Sequence, residues 1–329
     1  MKIFLSGGTS SIGGYVVKHL LEEGHTLHLL VRSKDRLDAI FKHEQIRLFE
    51  GDLSDCALLT EAMDGCDQVY HMAALAKVWL KDAKKFFDVN LTGTTNILEA
   101  ARLSNVSKIV ITSSAGVYGP SENGIVNEGK NREMDFFNEY ESSKALAELK
   151  IKEYHIENGL NVVIVSPTRV YGPILFGIPG SINILINKYI NGSWRILPGT
   201  GKEIGNYAYI EDVAKGHLLA MEYGKSGHSY ILGGENCTYI EFFDHLSELG
   251  SIQRKLFKVP LFFQNFFASI QLFMAEKFGT EPSITPKWVA KGKFHWEVSS
   301  EKALNELGYQ ITPLKEGLKR TVGSMKKNK

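Results

Sequence analysis

Cysteine is scarce, charge of either sign is balanced, and no apolar run is long enough to cross a bilayer. Each shortage removes a class of protein. The three cysteines, Cys56, Cys66 and Cys237, are odd in number and lack Cys-x-x-Cys spacing. That excludes a disulfide frame or a structural zinc site and leaves free thiols in a reducing compartment. Thirty-eight basic residues against 37 acidic ones leave a net charge of +1, so nothing in the balance points to a polyanion-binding surface and no nucleic-acid partner is expected. No His, Cys or Asp cluster has metal-ligand spacing, so no metal is expected. The opening Met-Lys-Ile-Phe-Leu runs straight into glycines, too short for the apolar region of a signal peptide, so the expected location is cytoplasmic. What remains is an ordinary globular composition, 43% hydrophobic, in a chain of 329 residues that suits one large or two modest domains.

A β/α rhythm runs through about residue 170. Short apolar runs at 3–5, 27–31, 46–49, 69–70, 109–112 and 162–165 read as strands. Helical stretches are expected at 12–23, 86–102 and 140–157, the first stopped by Gly24. Strands alternating with helices predict an α/β fold, a Rossmann-type doubly wound parallel sheet over 1–170. Past Pro173 the rhythm breaks at Pro179, Pro198, Pro260, Pro282 and Pro286. Residues 171–329 are therefore expected to form mostly a smaller substrate-binding region, with 205–222 returning to the first domain.

The first strand opens into SGGTSSIGG (6–14), nearly the glycine fingerprint of a dinucleotide site. Gly7 permits a tight turn, Gly13 lets the helix pack closely, and the helix start offers free N–H groups to an anion. Ser10 stands where a middle glycine is expected, and its hydroxyl could donate to a phosphate oxygen. The candidate cradle is Gly7, Thr9, Ser10, Ser11, Ile12 and Gly13, although a tight turn alone needs the same glycines. After the second strand comes Arg32-Ser33-Lys34, with no carboxylate before Asp35. Arg32 can grip a 2′-phosphate in bidentate fashion and Lys34 adds charge, which favours NADP(H) over NAD(H). Two solvated surface cations remain the plainer reading.

The loop is followed in order by GDLSD (51–55), HMAALAKV (71–78), VNLTGTTNILEAA with Asn90, TSSAGVYG (112–119), YESSK (140–144), SPTRVYGP (166–173), YIEDVAKGHLLAM (209–221) and SSEKALNELGY (299–309). This series resembles the extended short-chain dehydrogenase/reductase family, also called the NAD-dependent epimerase/dehydratase family. It is most similar to the dihydroflavonol-reductase-like and 3β-hydroxysteroid-dehydrogenase-like branch. The resemblance implies that Asp52 and Leu53 lie by the adenine, and that Ala73 and Ala74 line the nicotinamide side. It also implies that Pro167 and Val170 border the nicotinamide, and that Asp212 fixes a loop. It gives Asn90 a place in the cofactor site as a structural or proton-relay residue, with a satisfied core amide equally open. His71 reads as a satisfied core side chain.

Tyr140 and Lys144 are four apart on a helix and share a face. Bringing a phenol from its ordinary ~10 to about 7 requires roughly 4 kcal/mol of phenolate stabilisation, which an ammonium and an oxidised nicotinamide could provide. Tyr140 then acts as general acid for carbonyl reduction, Lys144 also binds the nicotinamide ribose, and Ser114 donates to the substrate oxygen. Ser113 is the alternative donor.

The family's arginine before the aspartate-containing helix falls on Gly205, and that before the SPTRVYGP proline on Ser166. Lys202 is the sole cation near the first of these. Together with the aromatic run at 259–278, this favours a fairly apolar ketone, aldehyde or alcohol as the small-molecule substrate. A sugar or nucleotide-sugar epimerase with retained dinucleotide and a non-catalytic dinucleotide-binding regulator stand as alternatives. In the 259–278 helix, Phe262, Phe266, Ile270, Phe273 and Met274 share a side. Packing against the domain is the first reading, a substrate-pocket wall the second, and a membrane-surface or homodimer contact the third.

Overall fold

The computed structural model describes residues 1–35, 37, 39–250 and 254–327. Six strands run through the first half: β1 (Lys2–Ser6), β2 (Thr26–Val31), β3 (Ile46–Glu50), β4 (Gln68–His71), β5 (Lys108–Thr112) and β6 (Val162–Pro167). Six more follow: β7 (Arg169–Tyr171), β8 (Ile196–Leu197), β9 (Ile204–Tyr209), β10 (Ser229–Leu232), β11 (Glu235–Thr238) and β12 (Phe257–Lys258). Seven of them form one parallel sheet in the order β10-β6-β5-β4-β1-β2-β3. The chain reverses direction across the sheet between β1 and β4, which opens a crevice at their carboxyl ends.

Helices cover both faces. On one lie α1 (Ser11–Glu22) and, from much later in the chain, α7 (Ile210–Tyr223). On the other lie α2 (Cys56–Met63), the short α3 (Lys84–Phe87), α4 (Gly93–Leu103) and α5 (Glu139–Asn158). Strand alternation sorts the core: Ile3 and Leu5 pack with Val16, Leu20 and Val213, whereas Phe4 between them packs with Leu59, Ile97 and Ile151. The helix expected at 86–102 is interrupted: a π turn, Asp88–Thr92, joins α3 to α4 and carries Asn90. Such a turn inserts an extra residue per loop and re-aims a side chain, a device common at functional sites.

A third core joins a small β11-β9-β7 sheet to α6 (Ser181–Ile190), α8 (Tyr239–Gly250) and the terminal α12 (Leu314–Lys327). The remaining helices are α9 (Leu261–Phe278), α10 (Pro286–Lys291) and α11 (Glu301–Leu307). In α9 the expected inward packing of the aromatic side is overturned. Only Ala268 and Ala275 are buried, and Phe262, Phe266 and Phe273 face solvent. The inward stripe is made of small and amide side chains, which let the helix sit close, so the large rings are left outside.

Asp212, in the first turn of α7, holds a loop as expected. Its carboxylate accepts the Thr312 N–H at 2.6 Å and the Thr312 hydroxyl at 2.8 Å, pinning the segment before α12. Two bonds to a charged, half-buried group are worth about 2–3 kcal/mol. Asp212→Ala should lose about that much in urea unfolding while leaving dinucleotide affinity in calorimetry unchanged.

Candidate active site

The glycine loop lies between β1 and α1 under two steric constraints. Gly7 has a φ of +76°, and a Cβ there would stand 2.5 Å from the Ala73 nitrogen. A Cβ on Gly13 would stand 2.1 Å from the Gly7 carbonyl oxygen. Ser10 is the N-cap of α1, its hydroxyl oxygen accepting the Gly13 N–H at 3.0 Å. The side chain that replaces a glycine therefore closes the helix start, and its own proton stays available to an anion. The Ser11 and Ile12 amides are the first N–H groups of the helix, which intrahelical bonding leaves open. No acidic residue stands in that first turn to repel a pyrophosphate.

The other candidate cofactor residues lie at the same sheet edge. Arg32 and Lys34 follow β2 and are exposed. Asp52 follows β3, its carboxylate held below the usual range by the Ser54 hydroxyl and amide. Leu53 is buried against Gly93 at the start of α4. Ala73 and Ala74 follow β4, while Pro167 ends β6 and Val170 sits in β7. The Asn90 amide is occupied by protein: it donates to the Leu75 carbonyl (3.1 Å) and the Ser143 hydroxyl (3.0 Å) and accepts the Leu75 N–H (2.8 Å). It thus ties the loop after β4 to α5.

The sequence reading missed a strap across the cradle. Gly177 has a φ of +66°, and a Cβ there would lie 2.8 Å from the Thr9 oxygen and 2.9 Å from the Ser11 nitrogen. The neighbouring Phe176 ring fills the space that a Gly14 side chain would take. The Tyr15 hydroxyl anchors the strap's start by donating to the Pro173 carbonyl at 3.1 Å.

Ser114 caps a single 3₁₀ turn, Ala115–Tyr118, after β5, its hydroxyl accepting the Gly116 N–H at 3.2 Å and lying near enough to Tyr140, in the first turn of α5, to favour the phenolate. Lys144, one turn on, is buried and donates to the Thr112 carbonyl at 2.6 Å. The expected acidification of Tyr140 is not present in the protein alone. Burial raises the phenol, the Ser114 hydroxyl only partly offsets this, and the Glu141 charge adds to the rise. Burial also pushes the Lys144 ammonium down to about 8. His71 is a satisfied core side chain: Ser6 and Thr94 bond its two ring nitrogens at 2.6 and 3.0 Å. Burial, with the Lys144 charge, lowers it to about 3, so it stays neutral.

Beside Tyr140 the structure assembles charges that no motif announced. Glu141, 1% exposed, is bridged by Arg132 at 2.9 Å and by Lys291 of α10 at 2.6 Å. The Lys291 ammonium lies 4.4 Å from the Trp296 ring centre. The absence of a cation at position 205 is corrected in space. A Cβ on Gly205 would lie 2.1 Å from an Arg169 guanidinium nitrogen, and that nitrogen donates to the Tyr207 and Tyr239 hydroxyls at 3.2 Å each. The glycine was the signal: it makes room for an arginine from β7.

The buried ammonium gives a stability prediction. The unfolded chain holds the Lys144 proton up to the ordinary lysine range, the folded chain only up to about 8. Burying the charge therefore opposes folding below about pH 8, and this penalty fades as pH rises toward 10. The gap corresponds to about 3 kcal/mol. Lys144→Met should be more stable than the wild type at pH 7, by up to that amount less the lost bond to Thr112. Urea unfolding at pH 7 and pH 9.5 should show the advantage shrinking at the higher pH.

The model of the NAD dependent epimerase/dehydratase family matches residues 3–233. A Synechocystis protein named, provisionally, as a dihydroflavonol 4-reductase is 30% identical, over 96% of this chain and 92% of its own. The mouse sterol-4-alpha-carboxylate 3-dehydrogenase, decarboxylating, is 26% identical over 98% of this chain and 90% of its own. In fold, the chain is similar to the dTDP-glucose 4,6-dehydratase DesIV of Streptomyces venezuelae, solved with NAD bound. The TM-score is 0.81 at 24% identity, over 100% of this chain and 98% of that one.

Proposed function

The chain belongs to the NAD dependent epimerase/dehydratase family, and from that premise we propose that it is a cytoplasmic, NADP(H)-dependent oxidoreductase interconverting a carbonyl and an alcohol on a fairly apolar small molecule. One observation carries the reading: at the carboxyl edge of the sheet Ser114 caps the turn after β5 beside Tyr140 in the first turn of α5, with the Lys144 ammonium buried one helical turn on and bonded to the end of β5. The nicotinamide, when bound, supplies or takes up the hydride.

Everything else falls to the side chains. A phenol held above its ordinary value is protonated at neutral pH, the state a general acid needs for carbonyl reduction. Ser114 orients the substrate oxygen and donates to it as negative charge develops. Lys144 is mostly charged at pH 7 and favours the phenolate left after proton transfer. Arg32 and Lys34 at the end of β2 suit a 2′-phosphate, which favours NADP(H). The relatives named for dihydroflavonol and sterol substrates, together with Trp288 and Trp296 around Lys291, support an apolar body on the substrate.

Arg169 favours a second reading. Its guanidinium beside Gly205 would grip one anionic or hydroxyl-rich group, as a sugar substrate requires. An epimerase that retains its dinucleotide would convert a sugar with no net consumption of NADPH.

A panel of ketones and aldehydes with NADPH separates these readings. Wild-type protein should oxidise NADPH, and Tyr140→Phe should lower kcat by about 10²–10⁴-fold; equal rates would remove Tyr140 from the chemistry. Arg32→Ser should cut the preference for NADPH over NADH about tenfold or more, read as the ratio of kcat/KM values. An unchanged ratio would leave Arg32 as a surface cation.

A further inference from the structure

The geometry points to α9 as a docking helix that lies flat in the headgroup region of an anionic phospholipid bilayer. This inference is independent of the proposed reaction, because it stands on a helix whose amphipathicity is turned inside out. Phe262 is 74% exposed and Phe278, at the other end, 69%, and Phe263, Phe266, Phe267 and Phe273 between them are each more than half exposed. Its inner stripe is occupied by Ala268 and Ala275, with Gln264, Asn265 and Gln271 half-buried around them.

Those amides do structural work that fixes the orientation. Gln264 donates to the Val259 carbonyl at 2.7 Å, and Gln271 accepts the Ser283 N–H and hydroxyl at 2.8 Å each. Rolling the helix to hide its rings would break these bonds. A contiguous aromatic face of this kind marks an interaction surface. No described helix is long and apolar enough to cross a membrane, so α9 would lie on a bilayer without spanning it.

Charge selects the occupant. The chain as a whole is at +1, yet residues 254–293 carry seven lysines and arginines against two glutamates, and five of the seven remain once Lys287 and Lys291 are paired with Glu139 and Glu141. Lys255 and Lys258 are exposed ahead of the helix, and Lys277 is exposed in its last turn. Of the two glutamates, Glu281 is already held by Lys77 at 2.9 Å. Cations at both ends argue against a second copy, since parallel or antiparallel pairing of two such helices sets lysine against lysine. An anionic headgroup layer satisfies both ends while the rings enter the acyl boundary. The helix packs on α10, whose Lys291 reaches Glu141 beside Tyr140, so docking would bring the candidate site close to the lipid surface.

Flotation of the full chain with phosphatidylglycerol-rich vesicles, and with phosphatidylcholine vesicles alone, tests this. The wild type should float with the anionic vesicles and far less with the neutral ones. The triple variants Phe262→Ser/Phe266→Ser/Phe273→Ser and Lys255→Gln/Lys258→Gln/Lys277→Gln should each partition at least about tenfold less. Circular-dichroism melts check that both remain folded. If either does not, Phe262→Trp decides by fluorescence difference from the wild type: a blue shift on anionic vesicles supports the inference and an unshifted spectrum overturns it. The inference is also overturned if the wild type stays free of anionic vesicles, or if the phenylalanine variant floats like the wild type. A dimer in sedimentation velocity that the phenylalanine variant dissociates overturns it too, because a second copy would then cover the face.

Discussion

The arrangement at the sheet edge depends on one buried carboxylate. Glu141 follows Tyr140 in the chain and receives Arg132, Lys291 and the Phe137 N–H. Arg132 reaches onward to the Gly116 carbonyl at 2.6 Å, in the turn that Ser114 caps. Lys291 comes from α10, far along the sequence. Three segments with no local reason to meet are thereby fixed around the Tyr140 hydroxyl. Removing one partner of such a group strands a charge in low dielectric, typically at a cost of 3–5 kcal/mol, about a third to half of an ordinary domain's net stability.

Around that anchor, burial sets the protonation states more than pairwise attraction does. The same desolvation that raises Tyr140 lowers Lys144, His71 and His217. The result is a neutral phenol, neutral imidazoles and an ammonium within reach of losing its proton. The protein alone thus holds Tyr140 in the protonated form from which carbonyl reduction would start.

Six of the seven strands were legible as short runs rich in apolar residues, most of them buried on both faces. Strand β3, with Phe49 alone buried, is the exception in burial. Strand β10, an equally buried run, was not read because it lies past the point where the β/α rhythm breaks. The glycine loop was legible because Gly7 and Gly13 are required by backbone geometry alone. The π turn at Asp88–Thr92 was not, since no residue type announces it. Helix α2 has one cue, Asp55, which caps it by accepting the Leu58 N–H, but its eight residues are too few to show periodicity. Arg169 and Lys291 escaped because their neighbours are brought together only by the folded chain. Periodicity in α9 identified residues that share a side, yet it carries no sign. Which side turns inward was settled by small alanines and by amides with partners elsewhere.

Gly205 and Arg169 have a further consequence. The guanidinium stands where any side chain at 205 would begin, so the two positions hold one volume between them. A side chain at 205 would have to push the Arg169 head group off the Tyr207 and Tyr239 hydroxyls. Handing the cation from one strand to the other without disturbing those two hydroxyl bonds therefore asks for both positions to change. Its origin along the chain is free to drift while its place in space is not.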